Sequence, residues 1–435
     1  MIKKDDYFYT EEHQLHIPKV ILAGVDYGDI PDFEHSMEEM KGLIKACDME
    51  VAGVITQSLT HPDNATYLGS GKTMELSEAV SALEAEYVVF EGDLTPSQTK
   101  NLGEILKVPV WDRTYLILEI FSKRAKTKEA KLQVELAYLQ YMLPRLTGMW
   151  AHLGRQGGGG GSRANKGEGE KQIELDRRQI NKRIAELSRN LEEITRTRQV
   201  QRDGRSKKNT PSVALVGYTN AGKSSLMNRL INNSGGDENK KVFEENMLFA
   251  TLDTSIRKIT GSDNREFLLS DTVGFIENLP HGLIKAFRST LDEVKYADLL
   301  LIVLDAEDPY HPSHKKVTED TLRELDASNI PRIYVMNKSD KLKEREGLPP
   351  EVNEEKIYIS AKTGDGINEL LNMINRVIRK GGEVLNMLIP YSQGEFLNRI
   401  HQNGVVSKEE YAGEGVLVTA ECPGYMLDEA RKYAI

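Results

Sequence analysis

One stretch of the sequence restricts the fold more than any other, the octapeptide Gly217-Tyr-Thr-Asn-Ala-Gly-Lys-Ser224. It follows an apolar run at residues 213–216 that is typical of a strand, and it precedes residues 226–230, which are typical of a helix. A glycine-bearing loop in this position can direct its backbone N–H groups at an anion bound at the helix N-terminus. The pattern therefore predicts a phosphate-binding loop in an α/β domain.

Four residues of this loop predict its chemistry. Lys223 is expected to bridge the β- and γ-phosphates of a nucleotide, and Ser224 is expected to supply an oxygen to Mg²⁺. Gly217 and Gly222 allow backbone dihedral angles that other residues resist, and they leave no side chain in the way of the phosphates. The loop thus predicts a nucleotide site with Mg²⁺ as cofactor.

Three shorter motifs follow in a fixed order: Asp271-Thr-Val-Gly274, Asn337-Lys-Ser-Asp340 and Ser360-Ala-Lys362. Each follows an apolar run that predicts a strand, and open α/β sheets bind ligands at the carboxyl ends of their strands. Asp271 is expected to reach Mg²⁺ through water, and the N–H group of Gly274 is expected to sense a γ-phosphate.

The second motif predicts the base. One carboxylate, that of Asp340, can accept hydrogen bonds from both N1–H and N2–H of guanine, a pair of donors that adenine lacks. The aliphatic part of Lys338 would lie over the base, Asn337 would tie this loop to the phosphate-binding loop, and the backbone of residues 360–362 would close the pocket. The ordered set predicts a GTPase, and Asp340 argues against an RNA-remodelling ATPase.

Residues 249–253, Phe-Ala-Thr-Leu-Asp, predict a switch, because Thr251 can complete the Mg²⁺ shell only when a γ-phosphate is present. Phe275 stands where many GTPases carry a glutamine that orients the attacking water. Phenylalanine cannot form a hydrogen bond with that water, so we expect slow hydrolysis by the isolated protein.

These motifs together define the predicted site. Its catalytic residues are Lys223, Thr251 and Gly274, and its metal ligands are Ser224, Thr251 and, through water, Asp271. The predicted GTP-binding residues are Gly217, Tyr218, Thr219, Asn220, Ala221, Gly222, Lys223, Ser224, Ser225, Phe249, Ala250, Thr251, Leu252, Asp253, Asp271, Thr272, Val273, Gly274, Asn337, Lys338, Asp340, Ser360, Ala361 and Lys362.

Composition limits the class of protein. A chain of 435 residues exceeds one hydrophobic core and predicts about two to four domains. Its 39% apolar and 29% charged residues are typical of a soluble globular protein. The sequence has neither a signal peptide nor an apolar run of about 18 residues, so we expect a cytoplasmic protein without a membrane span.

The region before the phosphate-binding loop predicts a second sheet and a pair of helices. Residues 20–114 alternate apolar runs with helical stretches, which favours a small parallel sheet. Gly69-Ser-Gly-Lys-Thr73 resembles a second phosphate-binding loop, but Thr66 occupies the first glycine position and no strand precedes it, so we interpret it as a turn that caps the next helix. Residues 115–143 and 170–200 each carry one apolar stripe and predict an antiparallel hairpin.

The net charge of −10 argues against a general polyanion binder, yet residues 151–210 hold 15 Lys and Arg against 8 Asp and Glu. Taken alone, this block favours a solvated, charged helix. Five consecutive glycines, residues 157–161, lie within it, and Arg155, Arg163 and Lys166 flank them. Two interpretations stay open, a flexible linker or a loop that lies close to an RNA backbone.

Beyond these features, the chain resembles the HflX family of translational GTPases over nearly its whole length. The most specific residues lie in residues 67–72, in the glycine run with residues 167–171, in residues 249–253 and in residues 271–281. The resemblance implies binding to the ribosome, mainly to the large subunit and its rRNA, and a role in splitting stalled or idle ribosomes. It also implies that the helical hairpin carries its glycine loop towards the peptidyl transferase region. If the loop lies close to RNA, the flanking residues Arg155, Arg163 and Lys166 are the predicted RNA contacts.

The sequence predicts an α/β protein in four parts. We expect an N-terminal α/β domain at residues 1–114, a helical hairpin with a glycine-rich loop at 115–208, a P-loop GTPase domain at 209–380 and a small C-terminal α+β domain at 381–435. The expected function is a GTP-hydrolysing switch that binds GTP, GDP and the ribosome. The alternative is a nucleotide-gated RNA-binding or assembly scaffold with negligible turnover.

Overall fold

The computed structural model describes residues 16–28, 32–146, 165–206, 210–233, 248–249, 252, 255–260, 266–276, 287, 292–342, 355–378, 383–422 and 426–435. These residues divide into two compact units, one formed by residues up to Leu191 and the other by residues from Glu192 onward. No helix within the described residues is long and apolar enough to cross a membrane.

The first unit contains a parallel sheet of four strands in the order β2-β1-β3-β4. The strand β1 lies inside the sheet, and its residues from Val20 to Val25 are buried, which explains its continuous apolar run. The predicted alternation of strands and helices is confirmed. The elements are β1 (Lys19–Asp26), α1 (Phe33–Ala46), β2 (Glu50–Ser58), α2 (Ser70–Leu83), β3 (Tyr87–Phe90), α3 (Pro96–Leu106) and β4 (Val110–Trp111).

The second glycine motif is the start of a helix. Gly69 is the extended N-cap of α2, and Lys72 lies in the first turn, where its Nζ is 2.8 Å from the carboxylate of Glu75. The lysine thus takes part in an ordinary ion pair between neighbouring helix turns. This placement agrees with our interpretation of residues 69–73 as a helix cap.

The single helix that we predicted over residues 115–143 is wrong. The structure has two helices, α4 (Arg113–Arg124) and α5 (Lys128–Met142). Ala125 is extended, and the hydroxyl oxygen of Thr127 accepts a hydrogen bond from the Ala130 N–H at 3.1 Å, which caps a new helix. A threonine hydroxyl that competes for backbone donors stops one helix and starts the next.

The long helix α6 (Asn165–Ser206) confirms the predicted second helix. Its buried residues Leu187 and Leu191 pack with Leu136 of α5. Both oxygens of the Glu135 carboxylate accept hydrogen bonds from the Arg183 guanidinium, at 2.7 and 3.0 Å. As expected, most of the basic residues described on α6 are exposed, namely Arg177, Arg178, Lys182, Arg189 and Arg196. Residues 157–161 lie outside the described residues.

The second unit contains a sheet of six strands in the order β10-β9-β8-β5-β7-β6, with only β6 antiparallel to its neighbour. Strands lie at the apolar runs that precede the phosphate-binding loop, Asp271, Asn337 and Ser360, as the sequence predicts. The strands are β5 (Ser212–Gly217), β6 (Ser255–Thr260), β7 (Glu266–Asp271), β8 (Leu299–Asp305), β9 (Arg332–Asn337) and β10 (Lys356–Tyr358), and the helices are α7 (Lys223–Asn233), α8 (His311–Glu324) and α9 (Ile367–Ile378).

A small antiparallel sheet follows, with the order β11-β13-β12. Phe396 and Ile400, from the helix between β11 and β12, are buried in a core that contains Met387 and Val418 of the sheet. The elements are β11 (Glu383–Pro390), α10 (Gly394–Asn403), β12 (Val405–Ala412), β13 (Gly415–Cys422) and α11 (Leu427–Ala430).

Candidate nucleotide-binding site

The phosphate-binding loop joins β5 to α7, and its two glycines are required by their surroundings. Gly217 has φ +144°, and a Cβ placed there would lie 2.2 Å from the carbonyl oxygen of Val303 in β8. Gly222 has φ +91°, and a Cβ there would lie 2.2 Å from Nδ2 of Asn337. Both conformations are in the region that favours glycine, so the loop is held tightly between the neighbouring strands.

Lys223 is the first residue of α7 and is only 7% exposed. Its Nζ donates hydrogen bonds to the carbonyl oxygens of Gly217, at 3.0 Å, and Tyr218, at 2.7 Å. Burial lowers the pKa of the Lys223 ammonium group to about 8, and the nearby Asp271 carboxylate opposes that shift. A nucleotide phosphate would supply additional negative charge beside this buried cation.

The predicted metal ligands Ser224 and Asp271 lie side by side. The Ser224 hydroxyl donates to Oδ2 of Asp271 at 2.7 Å, and Asp271 is fully buried at the carboxyl end of β7. Hydroxyl and carboxylate oxygens are ligands that Mg²⁺ prefers, so this pair fits the ion. No group of three or more His, Cys, Asp or Glu within the described residues could hold a metal alone. Further ligands would come from phosphate oxygens, from water and from Thr251, which is predicted to complete the shell.

The segment after Asp271 pairs directly with the phosphate-binding loop. The Thr219 N–H donates to the Phe275 carbonyl at 2.8 Å, and the Phe275 N–H donates to the Gly217 carbonyl at 3.1 Å. A Cβ on Gly274 would lie 2.9 Å from Cα of Thr219 and 3.0 Å from Nζ of Lys223. The backbone of Gly274 therefore lies next to the group expected to bind phosphate, as its predicted sensing role requires.

Asn337 connects three loops, which confirms the tie that we predicted. From the carboxyl end of β9, its Nδ2 donates to the Ala221 carbonyl at 3.0 Å and its Oδ1 accepts from the Ala361 N–H at 3.0 Å. The side chain is 2% exposed. Removing it would leave two buried backbone groups without a partner, so it fixes the base loops against the phosphate-binding loop.

Lys338 and Asp340 lie where a base could reach them. Lys338 has a left-handed backbone, and its Nζ donates to the Asn220 carbonyl at 2.9 Å and to Oδ2 of Asp305 at 2.7 Å. Asp340 is exposed, and its Oδ1 accepts a hydrogen bond from the buried Ser360 hydroxyl at 2.7 Å. The hydroxyl orients the carboxylate, which is the group expected to meet the guanine donors.

Sequence reasoning missed three residues that hold the site in shape. Asp305 pairs with Lys338, and Arg229 of α7 donates from Nε to the Ala361 carbonyl at 2.9 Å. The ring of His314 in α8 stacks on Tyr218, with centroids 3.7 Å apart and planes 11° apart. Asp305 ends an apolar strand, the same signal that Asp271 gives, whereas no sequence signal marks the other two.

Several predicted residues lie outside the described part of the chain. Phe249 and Leu252 are described and buried. Ala250, Thr251 and Asp253 are not described, and neither are Arg155 and Arg163. Lys166 belongs to helix α6. The roles that we assign to these residues therefore stay predictions.

Three family models match the chain. Residues 34–122 match the model described as GTP-binding GTPase N-terminal, residues 124–205 match GTP-binding GTPase Middle Region, and residues 212–338 match 50S ribosome-binding GTPase. Among solved structures, a GTP-binding protein from Sulfolobus solfataricus in complex with GDP is 26% identical. The match covers 82% of this chain and 98% of that chain, with a TM-score of 0.43.

Two relatives are similar over most of the chain. GTPase HflX of Caldanaerobacter subterraneus subsp. tengcongensis is 44% identical over 405 residues, which are 93% of this chain and 91% of that protein. GTPase HflX of Escherichia coli is 39% identical over 402 residues, 91% of each chain. With this identity over more than nine-tenths of its length, and with the site above, the chain belongs to the HflX GTPase family and hydrolyses GTP.

Proposed function

We propose that this GTPase is a Mg²⁺-dependent switch that binds the large ribosomal subunit and separates stalled or idle ribosomes. The proposed binding to the ribosome rests on the match of residues 212–338 to the family model described as 50S ribosome-binding GTPase. The four predicted domains supply its parts: the site in residues 209–380, and a hairpin in residues 115–208 that carries the glycine loop.

Each part of the site has one task in this proposal. The phosphate-binding loop and Lys223 bind the phosphates, and Asp340 reads the guanine base. Ser224 and Thr251, with Asp271 through water, hold Mg²⁺, which neutralises charge on the phosphates. The N–H of Gly274 senses the γ-phosphate, and the next residue, Phe275, is hydrogen-bonded to Gly217 and Thr219, so the contact is transmitted to the following segment.

The hairpin supplies the RNA contacts. Arg155, Arg163 and Lys166 flank the glycine run. The described residues of α6 add exposed arginines and the exposed Lys182. Lysine and arginine displace counterions from RNA, so binding that depends on them weakens steeply as salt rises. The same residues are expected to have little influence on nucleotide affinity, because they belong to a different part of the chain.

The test is co-sedimentation with purified large subunits at several salt concentrations, once with a non-hydrolysable GTP analogue and once with GDP. We expect more protein in the subunit fraction with the GTP analogue, and less as salt rises. The variant with Arg155, Arg163 and Lys166 changed to Ala should keep its GDP affinity and lose subunit binding. Equal sedimentation with both nucleotides would exclude the switch.

Measuring GTP hydrolysis distinguishes the proposed switch from the alternative, an RNA-binding scaffold with negligible turnover. A scaffold would bind the subunits in the GTP state without hydrolysing more GTP. The switch that we propose hydrolyses GTP faster when subunits are present, and it dissociates whole ribosomes into subunits in a sucrose gradient.

A further inference from the structure

Arg229 connects the helix that starts with Lys223 to the loop expected to close the base pocket. Its Nε donates to the Ala361 carbonyl at 2.9 Å, and its Nη2 donates to the Lys362 carbonyl. The planar guanidinium suits two acceptors side by side in a way that a lysine ammonium does not. The contact joins residues far apart in sequence, and Arg229 itself lies outside every motif of the site.

The two carbonyls decide where the neighbouring N–H groups point. The described peptide bonds are all trans, so the C=O and N–H groups of one peptide point in opposite directions. With the Ala361 carbonyl directed at Arg229, the N–H of Lys362 points away from the arginine. Within the described residues this N–H has no acceptor, whereas the Ala361 N–H bonds to Asn337 and the Thr363 N–H bonds to Ser360.

The peptide bond between Lys362 and Thr363 connects Arg229 to Asp340, the residue expected to bind the base. Its carbonyl, that of Lys362, accepts from Arg229, and its N–H, that of Thr363, donates to the Ser360 hydroxyl oxygen at 3.0 Å. That hydroxyl donates to Oδ1 of Asp340 at 2.7 Å. A chain of contacts therefore runs from the guanidinium to the carboxylate.

We propose that Arg229 is a positioning residue for guanine selectivity. It fixes the backbone of residues 361–363 so that the N–H of Lys362 meets the 6-oxygen of guanine while Asp340 meets N1–H and N2–H. This inference rests on the nucleotide site proposed above. Because Lys223 and Arg229 belong to one helix, the arginine also links the phosphate end of that site to its base end.

The test compares GDP with 6-thioguanosine diphosphate, which differs only in the acceptor that Lys362 would meet, since sulfur accepts hydrogen bonds more weakly than oxygen. The wild-type protein should prefer GDP. In Arg229→Ala, GDP should bind about tenfold more weakly, and the preference over the thio analogue should disappear. Arg229→Lys should recover part of the affinity, and added methylguanidine should restore the preference in Arg229→Ala.

The control is Arg376→Ala, which removes an exposed arginine from α9 and should leave both dissociation constants unchanged. Equal weakening of both nucleotides in Arg229→Ala would overturn the proposal, because a loss of folded protein affects them alike. Unchanged GDP affinity would overturn it as well. If wild-type protein showed no guanine preference over adenine, the nucleotide site itself would be wrong, which is a different outcome.

Discussion

At the scale of single residues, Asp340 is the group on which we propose that base selection depends. Its carboxylate is exposed, and the Ser360 hydroxyl holds one of its oxygens at 2.7 Å. Asp340→Asn replaces one acceptor by a donor, which fits xanthine, whose position 2 carries an oxygen. We expect GTP affinity to fall roughly a hundredfold and xanthosine triphosphate affinity to rise.

Equilibrium titration with fluorescent nucleotides measures both constants. Asp326→Asn is a suitable control, because Asp326 is an exposed residue of the same domain that pairs with Lys295. GTP affinity that stays the same in Asp340→Asn would remove residues 337–340 from the base pocket.

Lys223 gives the site a pH dependence with a defined sign. Burial lowers the pKa of its ammonium group to about 8, and a bound phosphate would raise that pKa again. Below pH 8 the free protein already carries the proton, so GDP affinity should be level there. As pH rises through about 8, binding must take up a proton, and affinity should fall by at most tenfold per pH unit.

Isothermal titration in buffers of different ionisation enthalpy measures this proton uptake directly. Below pH 8, Lys223→Arg should bind more weakly than wild type, but its affinity should not fall near pH 8, because a guanidinium stays charged. This variant also separates the effect from titration of guanine N1–H. A wild-type affinity that stays level as the pH rises through 8 would show that the lysine is not the titrating group.

At the scale of elements, the segment after β7 is fastened to the phosphate-binding loop by two backbone hydrogen bonds. Gly274→Ala places a Cβ 2.9 Å from the Cα of Thr219, a backbone atom of the tightly held phosphate-binding loop, so the segment after β7 must shift instead. We expect GDP affinity to change less than threefold and kcat for GTP hydrolysis to fall at least tenfold.

Single-turnover hydrolysis and GDP titration on the same preparations separate the two effects. Gly71→Ala is the matched control, because a Cβ at Gly71 meets no atom within 4 Å. If Gly274→Ala hydrolysed GTP at the wild-type rate, the segment would have no part in sensing the γ-phosphate.

The sequence predicts those elements whose signals are local, and it misses breaks and contacts that depend on distant residues. Gly217 and Gly222 have positive φ angles, which glycine adopts more readily than other residues. The strand, loop and helix around them could therefore be predicted from the local sequence. The break before Thr127 was missed, because the helix was predicted from an apolar stripe at residues 132–143 that lies wholly beyond it. The Thr127 hydroxyl, which accepts from the Ala130 N–H, starts a separate helix there. Arg229 and His314 were missed because their partners lie in other elements, and a contact between distant residues leaves no local signal.

At the scale of the whole molecule, hydrolysis should depend on a partner. Phe275 is 2% exposed and offers no hydrogen bond to an attacking water. We expect turnover on the order of 10⁻³ s⁻¹ or slower for the isolated protein, and faster turnover with purified large subunits. Phosphate release measured with and without subunits checks this, and fast turnover that no ribosomal fraction changes would contradict it.

The contacts of Asn337 have a consequence for biosynthesis. This side chain needs Ala221 on one side and Ala361 on the other, so no shorter nascent chain can hold a finished pocket. Domains fold as they leave the ribosome, the N-terminal one first. The chain must therefore expose most of its length before it can bind its first GTP, and a truncated product that ends before residue 361 lacks one side of the base pocket.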